Sequence, residues 1–215
     1  MRILLFGKNG QLGWELNRTL PTLGELMVVD YPEVDFNQPQ TLPGLVRVAR
    51  PDVIINAVAY TNVDKAESEP EIARRVNADS VGEIARTARE LGALLVHIST
   101  DYVFDGRKGS PYVETDVPNP INLYGRTKLE GEQQVQAAGG EYWIFRTSWM
   151  YSNRAGGFVN KVLEWASTKN ELRIVDDQIG SPTWCRTLAE LTGQALARFF
   201  RGRGQQSGAP TGVYH

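Results

Sequence analysis

The sequence predicts an α/β fold with a doubly wound parallel sheet of the Rossmann type. Short apolar runs alternate with amphipathic stretches along most of the 215 residues, and a glycine-rich turn follows the first run. Most of the runs are continuously apolar, as expected of parallel strands that are covered by helices on both faces. Because 41% of the residues are apolar, the chain can bury one substantial core, and we expect one main domain.

The individual elements follow from these patterns, beginning with a β-α-β opening. Residues 3–6 form the first strand, and residues 11–20 form a helix whose Leu12, Leu16 and Leu20 share one face. Further strands are predicted at residues 26–29, 53–56, 94–99, 143–146 and 172–175. Further helices are predicted at residues 42–49, 71–91 (with a break near Asp79), 124–138, 158–167 and 187–200.

Two long connections interrupt the alternation, at residues 101–123 and 176–186. Both contain aromatic residues and prolines, so we expect them to be binding loops rather than disordered segments. Residues 201–208 are rich in glycine and polar residues and are predicted to form a flexible surface linker. Residues 212–215 are typical of the beginning of a strand.

Composition narrows the classes of function. Charged residues make up 22% of the chain and the formal net charge is −2, so neither nucleic acid nor a membrane surface is expected as a partner. The single cysteine, Cys185, excludes an internal disulfide, and Gly7 interrupts the first apolar run too early for a signal peptide. His97 and His215 lie far apart without cysteine neighbours, so no metal site is expected. These features favour a cytoplasmic protein that acts on a small molecule.

The glycine-rich turn, GKNGQLG at residues 7–13, follows a predicted strand and opens a predicted helix. Gly7 permits a tight turn, Gly10 lets the backbone approach a pyrophosphate at the helix N-terminus, and Gly13 allows close packing on the strand. This context indicates a dinucleotide site. The alternative is that the glycines form only a turn.

Asp30 closes the second apolar run, where a carboxylate can accept hydrogen bonds from the adenosine ribose. A carboxylate favours NADH because it repels the 2′-phosphate of NADPH, but a mobile side chain can turn away, so either cofactor remains open. The alternative for Asp30 is an ordinary solvated loop acid. Asp35 and Phe36 are candidate contacts to the adenine.

The candidate reaction centre combines Tyr124, Lys128 and Thr100. A Tyr with a Lys at i+4 places both side chains on one helical face, and we expect the ammonium, together with a charge of the cofactor, to lower the pKa of the phenol. Thr100 closes a central strand at the sheet edge where open α/β folds bind ligands. Its hydroxyl can hold a carbonyl oxygen while Tyr124 donates a proton to that oxygen. Lys128 can also hold a nicotinamide ribose; its alternative is a solvated helix lysine.

Five blocks of sequence, in this order, resemble the dTDP-4-dehydrorhamnose reductases, a family of extended short-chain dehydrogenases. The blocks are GKNGQLG at 7–13, STDYVFDG at 99–106, NPINLYGRTKLEGE at 119–132, RTSWMY at 146–151 and DQIGSPT at 177–183. The resemblance runs from Met1 to His215. It implies that NADPH or NADH reduces the C4 ketone of dTDP-6-deoxy-L-lyxo-4-hexulose, the last step of dTDP-L-rhamnose synthesis for surface polysaccharide.

Carried over to this sequence, the resemblance implies that Thr100 orients the carbonyl, Tyr124 donates the proton and Lys128 assists it. Asp101 and Trp149 then touch the sugar nucleotide; the alternative for Trp149 is a core tryptophan. Besides the glycine turn, Tyr124 and Lys128, the dinucleotide contacts fall at Gly10, Gln11, Leu12, Asp30, Asp35, Phe36, Ala59, Tyr60 and Thr61. Asn77 resembles a helix asparagine that braces the active site, and a capping role fits it equally well.

The resemblance also organises the chain into two parts. Residues 1–147 are expected to form the dinucleotide-binding domain with the catalytic residues, and residues 148–215 to supply substrate-binding elements interleaved with the last sheet elements. Members of the family continue with further helices, so we expect this substrate lobe to be truncated at its C-terminus. A homodimer is implied for some members.

Two other functions fit the same residues. One is a sugar-nucleotide 4-epimerase or 4,6-dehydratase on the same scaffold, which would recycle its cofactor instead of consuming it. The other is a non-catalytic regulatory subunit that binds nucleotide only to steady a partner, and an intact set of Thr100, Tyr124 and Lys128 argues against it.

Overall fold

A computed structural model describes residues 1–154, 157–202 and 211–215. The strands are β1 (Arg2–Phe6), β2 (Glu25–Val29), β3 (Val53–Asn56), β4 (Leu94–Thr100), β5 (Tyr142–Thr147), β6 (Met150–Tyr151), β7 (Thr183–Trp184) and β8 (Gly212–Tyr214). The helices are α1 (Gln11–Thr19), α2 (Leu42–Ala49), α3 (Val63–Ser68), α4 (Pro70–Arg74), α5 (Ser80–Leu91), α6 (Leu123–Ala138), α7 (Phe158–Thr168) and α8 (Cys185–Gly202). No described helix is both long enough and apolar enough to cross a membrane.

Six strands form one sheet in the order β2-β1-β3-β4-β5-β8, and every neighbouring pair is parallel. Along β1, Leu4 and Phe6 pack into a core with α2, α5 and α6, whereas Ile3 and Leu5 pack into a second core with α1 and α8. Alternate residues of one strand point to opposite faces, so each fully apolar strand serves both cores. The predicted doubly wound α/β fold is confirmed.

The sheet order reverses at β1, which lies between β2 and β3. The connections that leave β1 and β3 therefore diverge to opposite faces and open a crevice at the carboxyl ends of the strands. The glycine turn follows β1 and residues 57–61 follow β3. The fold thus brings the two predicted cofactor-binding segments to the same crevice.

The predicted strand at residues 172–175 is wrong. The segment has no regular structure, and Ile174 and Val175 are 47% and 67% exposed. The place beside β5 is taken by β8, whose Tyr214 pairs with Phe145, as the strand pattern at residues 212–215 indicated. A short run of β-branched residues forms a strand only where a neighbouring edge is free to pair with it.

The structure also tests the remaining predicted helices, short strands and linker. The predicted helix at residues 71–91 is interrupted by a π-helical turn, Arg75–Asp79, at the expected break. Helix α3, which the Asn62 side chain caps, was not predicted. The short strand β7 was not predicted either; it lies inside the predicted binding loop at residues 176–186 and pairs with β6. Of the predicted flexible linker, residues 201–202 end α8 instead, and residues 203–208 lie outside the described part of the chain.

Candidate active site

The glycine turn is built by close backbone contacts at Gly7 and Gly13. Gly7 has φ of +91° and its N–H donates to the Val29 carbonyl at 3.0 Å. A Cβ on Gly13 would lie 1.8 Å from the Gly7 oxygen, so only glycine lets α1 pack so closely on the turn. Gly10 is the N-cap of α1, and the N–H groups of the first turn of a helix have no partner within the helix, so they can hold a phosphate. This cradle fits a dinucleotide pyrophosphate.

Asp30 lies at the end of β2 beside this turn, as predicted. Its carboxylate accepts hydrogen bonds from the backbone N–H groups of Asn9 and Tyr31, each at 2.8 Å. Lys8 of the turn pairs with Glu33 at 2.9 Å, and this contact is the first cause of the lowered pKa of Glu33. Asp30 is therefore not an isolated loop acid: it links the glycine turn to β2, while Lys8 of the same turn pairs with Glu33.

The other predicted dinucleotide contacts lie around the same crevice in different environments. Phe36 is 5% exposed and packs edge-to-face on Phe6 at 5.4 Å, so its ring belongs to the core. The Asp35 carboxylate accepts from the Asn37 N–H at 2.8 Å. The predicted adenine contact of Phe36 and Asp35 stays a prediction. Ala59, Tyr60 and Thr61 line the connection after β3, where they are exposed or half-buried.

Asn77, on the π-helical turn, braces that connection from below. Its side-chain oxygen accepts from the Tyr60 N–H at 2.9 Å, and its amide nitrogen donates to the Tyr60 carbonyl at 3.2 Å and to the Thr127 hydroxyl at 3.1 Å. Asn77 is 1% exposed. Asn77 therefore joins the connection after β3 to α6, the helix that carries Tyr124. This position fits the predicted bracing role.

Helix α6 is seated directly on the backbone of its neighbours. The Asn122 side chain caps it by accepting from the Gly125 N–H at 2.7 Å. A Cβ on Gly125 would lie 2.1 Å from the Tyr102 oxygen, and a Cβ on Gly131 would lie 2.2 Å from the Asn77 oxygen. The approach at Gly125 holds the first turn of α6 against the 3₁₀ turn Asp101–Val103, and the approach at Gly131 holds the middle of α6 against the π-helical turn Arg75–Asp79. Tyr124 is thereby brought to Thr100 at the end of β4.

The expected effect of the Lys128 ammonium on the pKa of the phenol is not found: Lys128 is not among the groups that shift it. Burial raises the pKa of Tyr124 to about 12, the nearby charges of Asp101 and Tyr102 add to this rise, and the interaction with the Thr100 hydroxyl opposes it. The i, i+4 spacing does place Lys128 on the same face of α6, but its Nζ donates to the Ile98 carbonyl at 2.6 Å. The ammonium reaches into the sheet instead of lying against the phenol. Tyr124 therefore holds its proton at neutral pH, the state that a proton donor needs.

Lys128 is 1% exposed and therefore not a solvated helix lysine. Burial lowers its pKa to about 8, and the charge of Glu132 opposes this change. Its Nζ lies 3.5 Å from Nε2 of His97, which is itself fully buried. Burial and the charge of Lys128 hold the pKa of His97 well below its usual value. Sequence reasoning missed His97, although a lone histidine on the helix-facing side of a core strand was the available signal.

A buried ion pair lies one helical turn further along α6. Arg146 of β5 donates to Glu132 through Nη2 at 2.6 Å and through Nε at 3.0 Å, and the Ser99 hydroxyl donates to the same carboxylate. The side chains of Arg146 and Glu132 are 5% and 1% exposed. This group joins α6 to β4 and β5, and sequence reasoning did not identify it, because nothing in the spacing pairs these residues.

The two predicted sugar contacts, Asp101 and Trp149, follow the neighbouring strands β4 and β5. Asp101 accepts from the Thr100 hydroxyl at 3.2 Å. Trp149 is 45% exposed, so the alternative of a core tryptophan is wrong. Its φ is +46°. This left-handed conformation is rare for a bulky residue and is found most often at functional sites. Its binding role stays a prediction.

The fold and this site together define a nicotinamide-dependent oxidoreductase of the extended short-chain dehydrogenase class. A glycine turn, a carboxylate at the end of β2, and a Tyr with a Lys at i+4 beside a hydroxyl at the end of β4 converge on one crevice. Among the described residues, no group of three or more His, Cys, Asp and Glu side chains is arranged to hold a metal ion.

Comparisons with known proteins identify the family. The RmlD substrate binding domain matches residues 1–215. The chain is 48% identical to the dTDP-4-dehydrorhamnose reductase of Burkholderia thailandensis, a match that covers 100% of this chain and 72% of that protein. It is also 48% identical to that of Escherichia coli K12, over 91% of this chain and 67% of that protein.

Solved structures agree. The dTDP-4-dehydrorhamnose reductase of Bacillus anthracis, determined in complex with NADP, superposes with a TM-score of 0.88 at 35% identity and covers 100% of this chain and 73% of that one. This chain belongs to the dTDP-4-dehydrorhamnose reductase family. The family resemblance read from the five sequence blocks is confirmed.

Proposed function

We propose that this chain reduces the C4 ketone of dTDP-6-deoxy-L-lyxo-4-hexulose to dTDP-L-rhamnose with NADPH or NADH. One observation carries the proposal: the hydroxyls of Tyr124 and Thr100 interact at the carboxyl edge of β4, beside the glycine cradle. Kinship with reductases that are 48% identical supports the choice of substrate. The product serves as a precursor of cell-surface polysaccharide.

In the proposed reaction the ketone oxygen lies between two hydroxyl donors. Tyr124 transfers its proton to that oxygen, and Thr100 stabilises the negative charge that develops there by a hydrogen bond. When bound, the reduced nicotinamide supplies the hydride that adds to C4. Hydride and proton together convert the ketone to an alcohol, and the Tyr124 phenolate then regains a proton from solvent.

The cofactor would be held by the residues around the glycine cradle. Gly10, Gln11 and Leu12 offer the N-terminus of α1 to the pyrophosphate, and Gly7 and Gly13 fix the turn. We assign Asp30, whose carboxylate binds the Asn9 N–H, to the adenosine ribose, and we assign the neighbouring Lys8 to a 2′-phosphate. A carboxylate and a cation on the same turn support the use of either cofactor.

The substrate would lie on the open side of the crevice. We assign Asp101 and the exposed Trp149 ring to the sugar nucleotide, with residues 148–215 supplying the substrate-binding elements and residues 1–147 the dinucleotide domain. A cytoplasmic location is supported by the nucleotide cofactor and nucleotide sugar that the reaction needs. The implied homodimer stays a prediction that analytical ultracentrifugation would check.

The test offers the purified protein the 4-keto-6-deoxy sugar nucleotide and follows the loss of reduced-nicotinamide absorbance. Stoichiometric oxidation of NADPH or NADH, with dTDP-L-rhamnose as product, is the expected result. Conversion of the sugar without net oxidation would favour the epimerase or dehydratase. Cofactor binding without any conversion would favour the regulatory subunit.

A further inference from the structure

Three buried polar side chains form a chain of contacts behind the active site. Asn56 ends β3, His97 pairs with it in register on β4, and Lys128 lies above both on α6. They are 1%, 0% and 1% exposed. Water therefore cannot satisfy their polar atoms, and the hydrogen positions are fixed by the partners that the protein provides.

The orientation of the Asn56 amide is set by the backbone. Its Oδ1 accepts from the Val58 N–H at 3.0 Å, so its Nδ2 is the atom that faces Nδ1 of His97, at 3.3 Å. An amide nitrogen only donates, and Nδ1 must therefore be the unprotonated acceptor. Because burial disfavours a charged imidazole, the proton of the neutral ring lies on Nε2.

The Nε2–H of His97 points at Lys128. The Nζ of Lys128 lies 3.5 Å from Nε2 and 2.6 Å from the Ile98 carbonyl. A neutral amine can accept from the imidazole N–H while it donates to the carbonyl. An ammonium has only donors, so it would face another donor across this contact.

We propose that His97, held in its Nε2–H tautomer by Asn56, is a positioning residue that favours the uncharged amine of Lys128 and directs it to the Ile98 carbonyl. The inference deepens the proposed function, since it concerns how the lysine of the reaction centre is poised. The protonation state of Lys128 then depends on His97 of β4.

The other groups around Lys128 define what a test has to separate. On α6 itself, Tyr124 and Glu132 lie one turn before and one turn after it, and Glu132 is held by Arg146 of β5 and Ser99 of β4. Asp101 follows β4. Only Glu132 opposes the effect of burial on the pKa of Lys128. His97 is the group that can be altered without changing the net charge around the lysine.

The first experiment uses the wild-type protein without substrate. Long-range ¹H–¹⁵N NMR of histidine-labelled protein distinguishes protonated from unprotonated ring nitrogens, and the chain has only two histidines to assign. We expect His97 to show a protonated Nε2 and an unprotonated Nδ1 throughout the pH range in which the protein is folded. A proton on Nδ1 would overturn the inference, because Nε2 would then accept from the ammonium.

The second experiment compares His97→Gln with the wild type by NMR titration of the lysine side chains. The glutamine oxygen can accept from the ammonium, so the proton affinity of Lys128 should rise by about 10-fold or more, which is one pKa unit. Val96→Ala, on the opposite face of β4, is the control: it creates a cavity but should leave the lysine titration unchanged. An unchanged titration in His97→Gln would contradict the inference.

The pH dependence of kcat links this network to the reaction. Its alkaline limb should move to higher pH in His97→Gln and stay in place in Val96→Ala; a limb that does not move in His97→Gln would refute a role for His97 in poising the site. If the proposed reaction itself were wrong, the wild type would fail to turn over while its histidine tautomer and lysine titration remained as expected, so the two failures are distinguishable.

Discussion

Around Lys128 nearly every polar atom is buried and has a partner. In α7, by contrast, each residue is at least partly exposed, with Phe158 and Leu163 at 53% and 65%. The first region is held by a dense polar network between α6 and the sheet. The second is an amphipathic helix with few contacts to the core. The residues of the proposed reaction centre are therefore fixed by the interior, whereas no residue of α7 is buried.

The largest effect should come from breaking the buried ion pair. Glu132→Gln leaves the Arg146 guanidinium without its counter-charge in the core, so the free energy of unfolding should fall by about 3–5 kcal/mol, measured by urea denaturation. The control is Glu130→Gln on the same helix, which removes the exposed Arg74–Glu130 pair and should cost less than ~1 kcal/mol. Equal losses in both variants would erase the distinction between interior and surface.

Tyr124→Phe tests the chemistry of the interior without disturbing its packing. Loss of the phenol proton should reduce kcat by about 10²-fold or more, because proton donation to the ketone oxygen is lost. Cofactor affinity, measured by fluorescence titration, and the melting temperature should change little. Unchanged turnover would remove Tyr124 from the role of proton donor.

The buried lysine should make stability depend on pH. The pKa of Lys128 is lowered from 10.5 to about 8, so above pH 8 the unfolded state binds more protons and stability rises with pH. Cys185, whose burial raises its pKa from 9.0 to about 11, opposes this trend from pH 9 upward. Urea denaturation should therefore show rising stability between pH 8 and 9, and Lys128→Met should abolish that slope. A slope that persists in Lys128→Met would assign it to another group.

The smallest effect is expected for a substitution on α7. Leu163→Ser on α7 should change the free energy of unfolding by no more than ~0.5 kcal/mol, because the side chain is already exposed. A loss comparable to that of Leu196→Ala on the buried face of α8, about 2–5 kcal/mol, would mean that α7 packs against the core in solution.

The features that sequence could predict were those carried by residue type at a fixed position. Gly7 and Gly13 lie against other main-chain atoms and Gly10 caps α1. Tyr124 and Lys128 share one face of α6. Sequence could not predict which groups the Nζ of Lys128 contacts, because the partners of a long side chain depend on the tertiary structure. It also failed at residues 172–175, because strand formation depends on which edge is free.

The seating of α6 on main-chain oxygens at Gly125 and Gly131 has a consequence for divergence within the family. The separation between the Tyr124 phenol and the Thr100 hydroxyl is set by backbone meeting backbone, so it does not depend on the shapes of the surrounding apolar side chains. The apolar side chains of the core can therefore change during evolution while the Tyr124 phenol stays beside the Thr100 hydroxyl. A side chain at either glycine would push α6 away from these main-chain oxygens and move the Tyr124 hydroxyl away from Thr100.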